Sequence, residues 1–106
     1  MKHRVSGIYT HENLIILVDG KPISIEPSRK FINHSQGFGA GHLGSGPAQS
    51  ALAIMLSLTN KENSMVYHQD FKQEFLSNPE YLDNDFWFEV DLDSWIAEKD
   101  KTLMRF

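Results

Sequence analysis

Apolar and polar residues alternate loosely from Lys2 to Thr10, with Val5, Ile8 and Tyr9 as the apolar members, which predicts a first strand. After the polar break His11-Glu12-Asn13, the run Leu14-Ile15-Ile16-Leu17-Val18 is continuously apolar. That pattern predicts a central strand covered on both faces. Asp19-Gly20 is a hairpin signal, because both central positions of a type I′ turn need positive φ. Pro22 to Pro27 then alternates cleanly with a proline at each end, the pattern of an edge strand. The first quarter of the chain reads as an antiparallel three-stranded meander.

From Ser28 to Ser35 the pattern is less regular; Phe31 and Ile32 can anchor a loop, and Asn33-His34-Ser35 reads as a polar turn. Gly37 to Gly46 then holds five of the seven glycines. An ordered glycine costs about 0.5–1 kcal/mol in lost backbone freedom, so an ordered stretch of this kind needs a physical reason. Ser45-Gly46-Pro47 predicts a helix start with Ser45 as N-cap and proline in the first turn. Apolar residues then surround the helix to Leu58, which predicts a central, buried one. Thr59-Asn60 closes it. Lys61 to Leu76 predicts a second helix, with Tyr67, Phe71 and Phe75 as one apolar stripe. Asn78-Pro79 ends that helix. Phe86 to Val90 is an aromatic strand expected to pair with the meander, and Asp91 can cap a short last helix, Leu92 to Lys99, with Trp95 and Ile96 inward.

The order β-β-β-loop-α-α-β-α defines an α+β fold. Three N-terminal strands and one later strand form an antiparallel sheet packed against a central apolar helix, a second helix and a short C-terminal helix. At 106 residues the chain fits one domain spanning residues 1–106. Cysteine is absent, so disulfides, thiol catalysis and Cys-based zinc sites are excluded. No signal peptide is visible after Met1-Lys2-His3-Arg4, and Ala48 to Leu58 is far shorter than the ~20 residues a bilayer span requires. The expected location is cytoplasmic.

Charge is distributed unevenly. The net value is −4, which argues against direct nucleic-acid binding. Residues 80–106 carry eight acidic and three basic side chains, whereas residues 31–60 carry neither Asp, Glu, Lys nor Arg. A thirty-residue gap of this kind implies burial, or a surface from which fixed charge is excluded.

The strongest ligand motif is Gly39-Ala40-Gly41-His42-Leu43-Gly44, a G-x-G-x-x-G followed by a helix. Without a preceding buried strand or a βαβ unit it is not a dinucleotide fingerprint. Gly41, His42, Gly44, Ser45, Gly46 and Gln49 remain candidates for cradling a phosphorylated nucleotide or metabolite at the helix N-terminus; a structural glycine turn is the favoured reading. His34 precedes the stretch and His42 lies within it, both as polar loop residues, with His42 the candidate acid/base or ligand contact. His68 reads as a partly buried packing residue. No spacing of ligands suits a metal, and Ser45 lacks the residues of a nucleophile elbow. No catalytic residue and no cofactor are assigned. Asp83, Asp85, Glu89, Asp91 and Asp93 form an acidic stretch suited to docking on a basic surface of a protein partner.

Gly44-Ser45-Gly46-Pro47-Ala48-Gln49, the following Ala51-Leu52-Ala53-Ile54 and Tyr67-His68-Gln69-Asp70-Phe71-Lys72 together resemble a family of small uncharacterised proteins of bacteria, phages and other mobile elements, catalogued as a domain of unknown function. The resemblance spans about residues 37–76; this chain differs in carrying His42-Leu43 inside a longer glycine stretch. It implies a phage or mobile-element setting, in which small acidic proteins often inhibit host systems, and no known activity. Two functional readings follow. The first is a non-enzymatic interaction protein, in the form of an inhibitor of a host defence system acting by protein binding in the host cytoplasm. The second is a binder that sequesters a nucleotide-like ligand at the glycine-rich loop.

Overall fold

The computed structural model describes residues 1–11 and 13–104; Glu12 of the predicted polar break lies outside them. The alternating N-terminal segment forms β1, His3–Tyr9, and the apolar run forms β2, Leu14–Val18. Asp19 (φ 52°) and Gly20 (φ 82°) join β2 to the short β3, Lys21–Pro22. Both turn residues are left-handed, as a type I′ hairpin requires. The aromatic strand β4, Phe86–Val90, pairs with β1, giving a four-stranded antiparallel sheet in the order β3-β2-β1-β4.

The predicted third strand is corrected. It stops at Pro22, and the alternating stretch instead leads into the four-residue helix α1, Glu26–Arg29. Pro22 brings no N–H to a ladder, and one further bond, Ile23 N–H to the Ile16 carbonyl at 3.0 Å, ends the pairing. Ser24 Oγ then accepts from the Glu26 amide at 3.2 Å, and Pro27 sits in the first helical turn, where its missing N–H costs nothing.

The expectation that both faces of β2 are covered is also corrected. Leu14, Ile16 and Val18 are buried, whereas Ile15 is 39% exposed. The register aligns Ile8 with Ile15 and Ser6 with both Leu17 and Trp87. One face of the sheet therefore carries Val5, Leu14, Ile16, Val18, Phe86 and Val90 into the core, and the other carries Arg4, Ser6, Ile8, Ile15, Leu17, Trp87 and Glu89 outward.

The inward face is covered by helices. The long helix α2, Ser45–Leu58, buries every residue from Pro47 to Met55, as its apolar circumference predicts. The charge gap is thus partly a burial effect. Gly44, not Ser45, is its N-cap, and no side chain caps it. Asn60 caps α3, Lys61–Phe71, by accepting from the Asn63 amide at 2.8 Å. The predicted second helix runs on to Leu76, with its last turn, Lys72–Leu76, widened to a π-turn.

The last helix, α4, Leu92–Met104, is longer than expected. Asp91 Oδ1 accepts from the Ser94 amide at 3.3 Å to start it. Beneath β4, the rings of Phe71, Phe75, Phe88 and Trp95 pack in edge and stacked contacts, with centroids 4.8 Å apart for Phe71–Phe75 and 5.3 Å for Phe75–Phe88. This cluster fastens α3, β4 and α4 together. No helix among the described residues is long and apolar enough to cross a membrane.

Candidate functional site

The glycine-rich segment is ordered by the first turns of α2. Gln49 is fully buried, and its amide is filled on both sides. Oε1 accepts from the backbone N–H groups of His34 at 2.6 Å and Ser35 at 3.0 Å. Nε2 donates to Ser28 Oγ at 2.8 Å and to the Ile32 carbonyl at 3.1 Å. One turn face further, Ser50 Oγ accepts from the Gly39 amide at 2.9 Å and lies 2.8 Å from the Gly39 carbonyl and 3.2 Å from that of Gly46. Two adjacent side chains of α2 thus hold the preceding irregular segment at two places. Buried polar groups that find partners in this way fix a loop, because leaving them unpaired costs about 1–3 kcal/mol each.

Two glycine positions show why larger residues do not fit. A Cβ added at Gly39 would stand 2.9 Å from the Gly46 Cα, so the two backbones touch where the loop crosses the helix start. Gly41 has φ +90°, and a Cβ there would meet the Leu82 backbone nitrogen at 2.6 Å. Its N–H donates to the Leu76 carbonyl at 2.8 Å, tying the loop to the end of the π-turn.

The predicted ligand residues are therefore divided. Gly41 and Gln49 are buried; His42, Gly44 and Ser45 are exposed. His42 Nδ1 accepts from the Gly44 amide at 3.0 Å, and Lys72 Nζ donates to the Leu43 carbonyl at 3.0 Å. Gln49 points its amide to the 28–35 segment rather than to the exposed turn. Grooves of about 260 Å³ between α1 and α2, lined by Ile23, Pro27, Ser28 and Leu56, and of about 350 Å³ beside Tyr9, Asn13, Phe38 and Asp83, are formed by other residues.

His34 and His68, 34 positions apart in sequence, meet through Nε2 atoms 3.0 Å apart. His68 Nδ1 lies 2.9 Å from the Ser64 carbonyl, an acceptor, so that nitrogen carries the proton and His68 Nε2 accepts from His34 Nε2–H. Burial pushes both imidazoles below their ordinary value; the His68 ring and then Lys72 add to this for His34, whereas for His68 the hydrogen bonds to the Ser64 and Met65 backbone oppose it and Lys72 adds to it. His68 is thus buried as expected, but it also carries a cross-chain hydrogen bond that its position in the sequence does not announce. Among the described residues no group of three or more His, Asp or Glu side chains is arranged to hold a metal ion.

The acidic residues follow β4. Asp83 (φ 62°) and Asp85 precede the strand, Glu89 lies on its outward side, and Asp91 and Asp93 open α4. Asp85 Oδ1 accepts from the Tyr9 amide at 2.8 Å. The Ser94 amide holds the Asp91 carboxyl below the usual range, helped by the chain's amino group at 3.5 Å. Among the described residues Asp83, Asp85, Glu89 and Asp93 make no ion pair within 4.0 Å. Between the acidic positions stands Trp87, 56% exposed, with the Arg4 guanidinium 4.1 Å above its ring. Ile8 (41% exposed) and Ile15 continue an apolar surface across the outward face. Sequence reasoning missed this face. Its signal was available in the outward parity of Ile8 and Ile15, which a half-covered sheet leaves in water.

A two-layer α+β protein with one open sheet face, an acidic edge and an internally fastened glycine loop is the class that this architecture defines. The chain belongs to a family of unknown function, DUF6166, whose match covers residues 5–98. Comparisons with curated proteins and with solved structures gave no match.

Proposed function

We propose that this chain is a non-enzymatic interaction protein that binds a protein partner through the outward face of its sheet. The observation that carries the reading is the group of exposed apolar side chains on the outward face of the sheet, Ile8 opposite Ile15 and Trp87 opposite Ser6. A contiguous exposed apolar patch rimmed by polar residues marks an interaction surface, and tryptophan is among the residues that dominate binding energy at such surfaces. Arg4 and Glu89 frame Trp87, and Asp83, Asp85, Asp91 and Asp93 extend the rim. Carboxylates at a rim speed encounter with a basic partner and reject acidic ones.

The mobile-element setting implied by the resemblance supports a specific form of this function: inhibition of a host defence system by protein binding in the cytoplasm, the host's cytoplasm if the chain is phage-encoded. The alternative, a binder of a phosphorylated nucleotide or metabolite at Gly41 to Gln49, has less support. Gln49 has no polar atom left to offer a ligand, and Gly44 donates to its own neighbour.

Capture from a bacterial host lysate, comparing the wild-type chain with the double variant Trp87→Ala/Ile15→Ser, tests the proposal. Both changes are on the solvent side of the sheet, so the fold is retained and near-ultraviolet dichroism of the remaining aromatics verifies it. The expected result is one stoichiometric partner on the wild type that the variant loses. Absence of any such partner, or equal recovery by the folded variant, overturns the reading.

A further inference from the structure

The sheet has a free hydrogen-bonding edge, and its orientation follows from two bonds. The Asp19 amide donates to the Arg4 carbonyl at 2.8 Å, so Arg4 turns its backbone groups toward β2. Alternate residues of β1 then face β4, in agreement with the Tyr9 amide donating to Asp85 on that side. Opposite them, Phe86, Phe88 and Val90 pair with Gly7, Val5 and His3. Trp87 and Glu89 are left with their backbone N–H and C=O groups directed away from the sheet. No backbone or side-chain partner for them occurs among the described residues.

Edge strands are usually blunted by proline, a bulge, extreme shortness or charged side chains, and of these β4 has only charge. β4 has five residues, no proline and an unbroken register with β1. The chain segment that carries that edge is also of one sign, Arg4 over Trp87 and the amino group at Asp91 being the cations brought to it from the N-terminal strand. From Gln73 to Glu98 the chain has eight carboxylates and no Lys, Arg or His. Pairing β4 with the same strand of a second copy would bring these carboxylates together, and like charges across a strand pair are destabilising. A basic strand meets the opposite condition.

We propose that the partner contributes a lysine- or arginine-rich extended segment that joins the edge of β4 as a fifth strand. This deepens the sheet-face reading and rests on it. Main-chain bonds to Trp87 and Glu89 supply the register, and the carboxylates from Asp83 to Asp93 select the charge; strand addition of this kind is a recurrent mode of peptide recognition.

The test uses a decapeptide of alternating valine and lysine, a valine–glutamate counterpart and the isotopically labelled chain in NMR titration. The lysine peptide is expected to shift the Trp87 and Glu89 amide signals. Their exchange should slow about threefold at twice its dissociation constant, with no effect from the glutamate peptide. Glu89→Pro removes an outward N–H that takes no part in the ladder, a substitution an edge strand tolerates, and is expected to abolish binding; Glu89→Gln should only weaken it. Backbone N-methylation of the peptide repeats the proline test without altering the protein. Equal binding of both peptides overturns the choice of a basic segment. Shifts confined to the Ile8 and Ile15 side chains, with Trp87 and Glu89 amides unprotected, overturn strand addition while leaving the sheet-face reading standing. Failure of the lysine peptide to bind also overturns strand addition, and the Trp87→Ala/Ile15→Ser capture then decides the sheet-face reading by itself.

Discussion

At the scale of single residues, Gln49 shows how a motif can be specific without forming a ligand site. An amide side chain has two donors and two acceptor positions, and Gln49 fills all four from Ser28, Ile32, His34 and Ser35. The sequence makes Gln49 conspicuous as part of Gly44-Ser45-Gly46-Pro47-Ala48-Gln49, but not the direction of its side chain. Its partners are the Ser28 hydroxyl of α1 and three backbone groups of the irregular chain after it, 14 to 21 positions away, which no periodicity reveals. Replacing it by leucine keeps the volume and strips the bonds. Gln49→Leu is therefore expected to lose about 2–4 kcal/mol, since two amides lose their acceptor at once. Urea unfolding should show a lower midpoint with an unchanged slope; a loss below about 1 kcal/mol would show that water replaces the amide there.

At the scale of elements, the strands and helices that rest on strong periodicity were legible. The type I′ hairpin, the buried α2, the stripe of α3 and the aromatic β4 all follow from local pattern. The third strand was not, because Pro22 to Pro27 alternates like an edge strand while Ser24, Glu26 and Pro27 also start a helix. The side-chain cap and proline's fixed φ favour the helix once pairing runs out after Ile23. The His34–His68 bond belongs to this scale, since it joins the loop before the glycines to α3. Both imidazoles titrate below their ordinary value near 6.5 in the folded state. The unfolded chain therefore binds more protons than the folded one as pH falls below about 6.5. The stabilising contribution is present above that pH and is lost as pH falls through the lowered folded values. Asp19 and Asp91, whose carboxyls are also lowered, contribute only in a more acidic window, below the ordinary carboxylate range. Melting temperature is expected to drop between pH 7 and 5, with a smaller drop in the His34→Gln/His68→Gln variant. Parallel pH curves for the two proteins would remove the histidine pair from the account.

At the scale of the whole molecule, the continuous apolar run of β2 has a second meaning. Leu14 to Val18 reads as a strand buried on both sides, yet helices cover one side only. Inward Leu14, Ile16 and Val18 account for half of the pattern; Ile15, with Ile8 opposite it and Trp87 on the same face of β4, accounts for an apolar surface left open. The acidic stretch was legible as composition, but its alignment along the free edge of β4 required the register. Together these features separate a packed glycine loop from an open, charged sheet face. Hydrogen exchange on the captured complex tests that division most directly. Slowed exchange is expected within β1, β2 and β4, centred on Trp87 and Glu89, with residues 41–49 unchanged. Protection confined to residues 41–49, with the sheet exchanging as in the free chain, would contradict it.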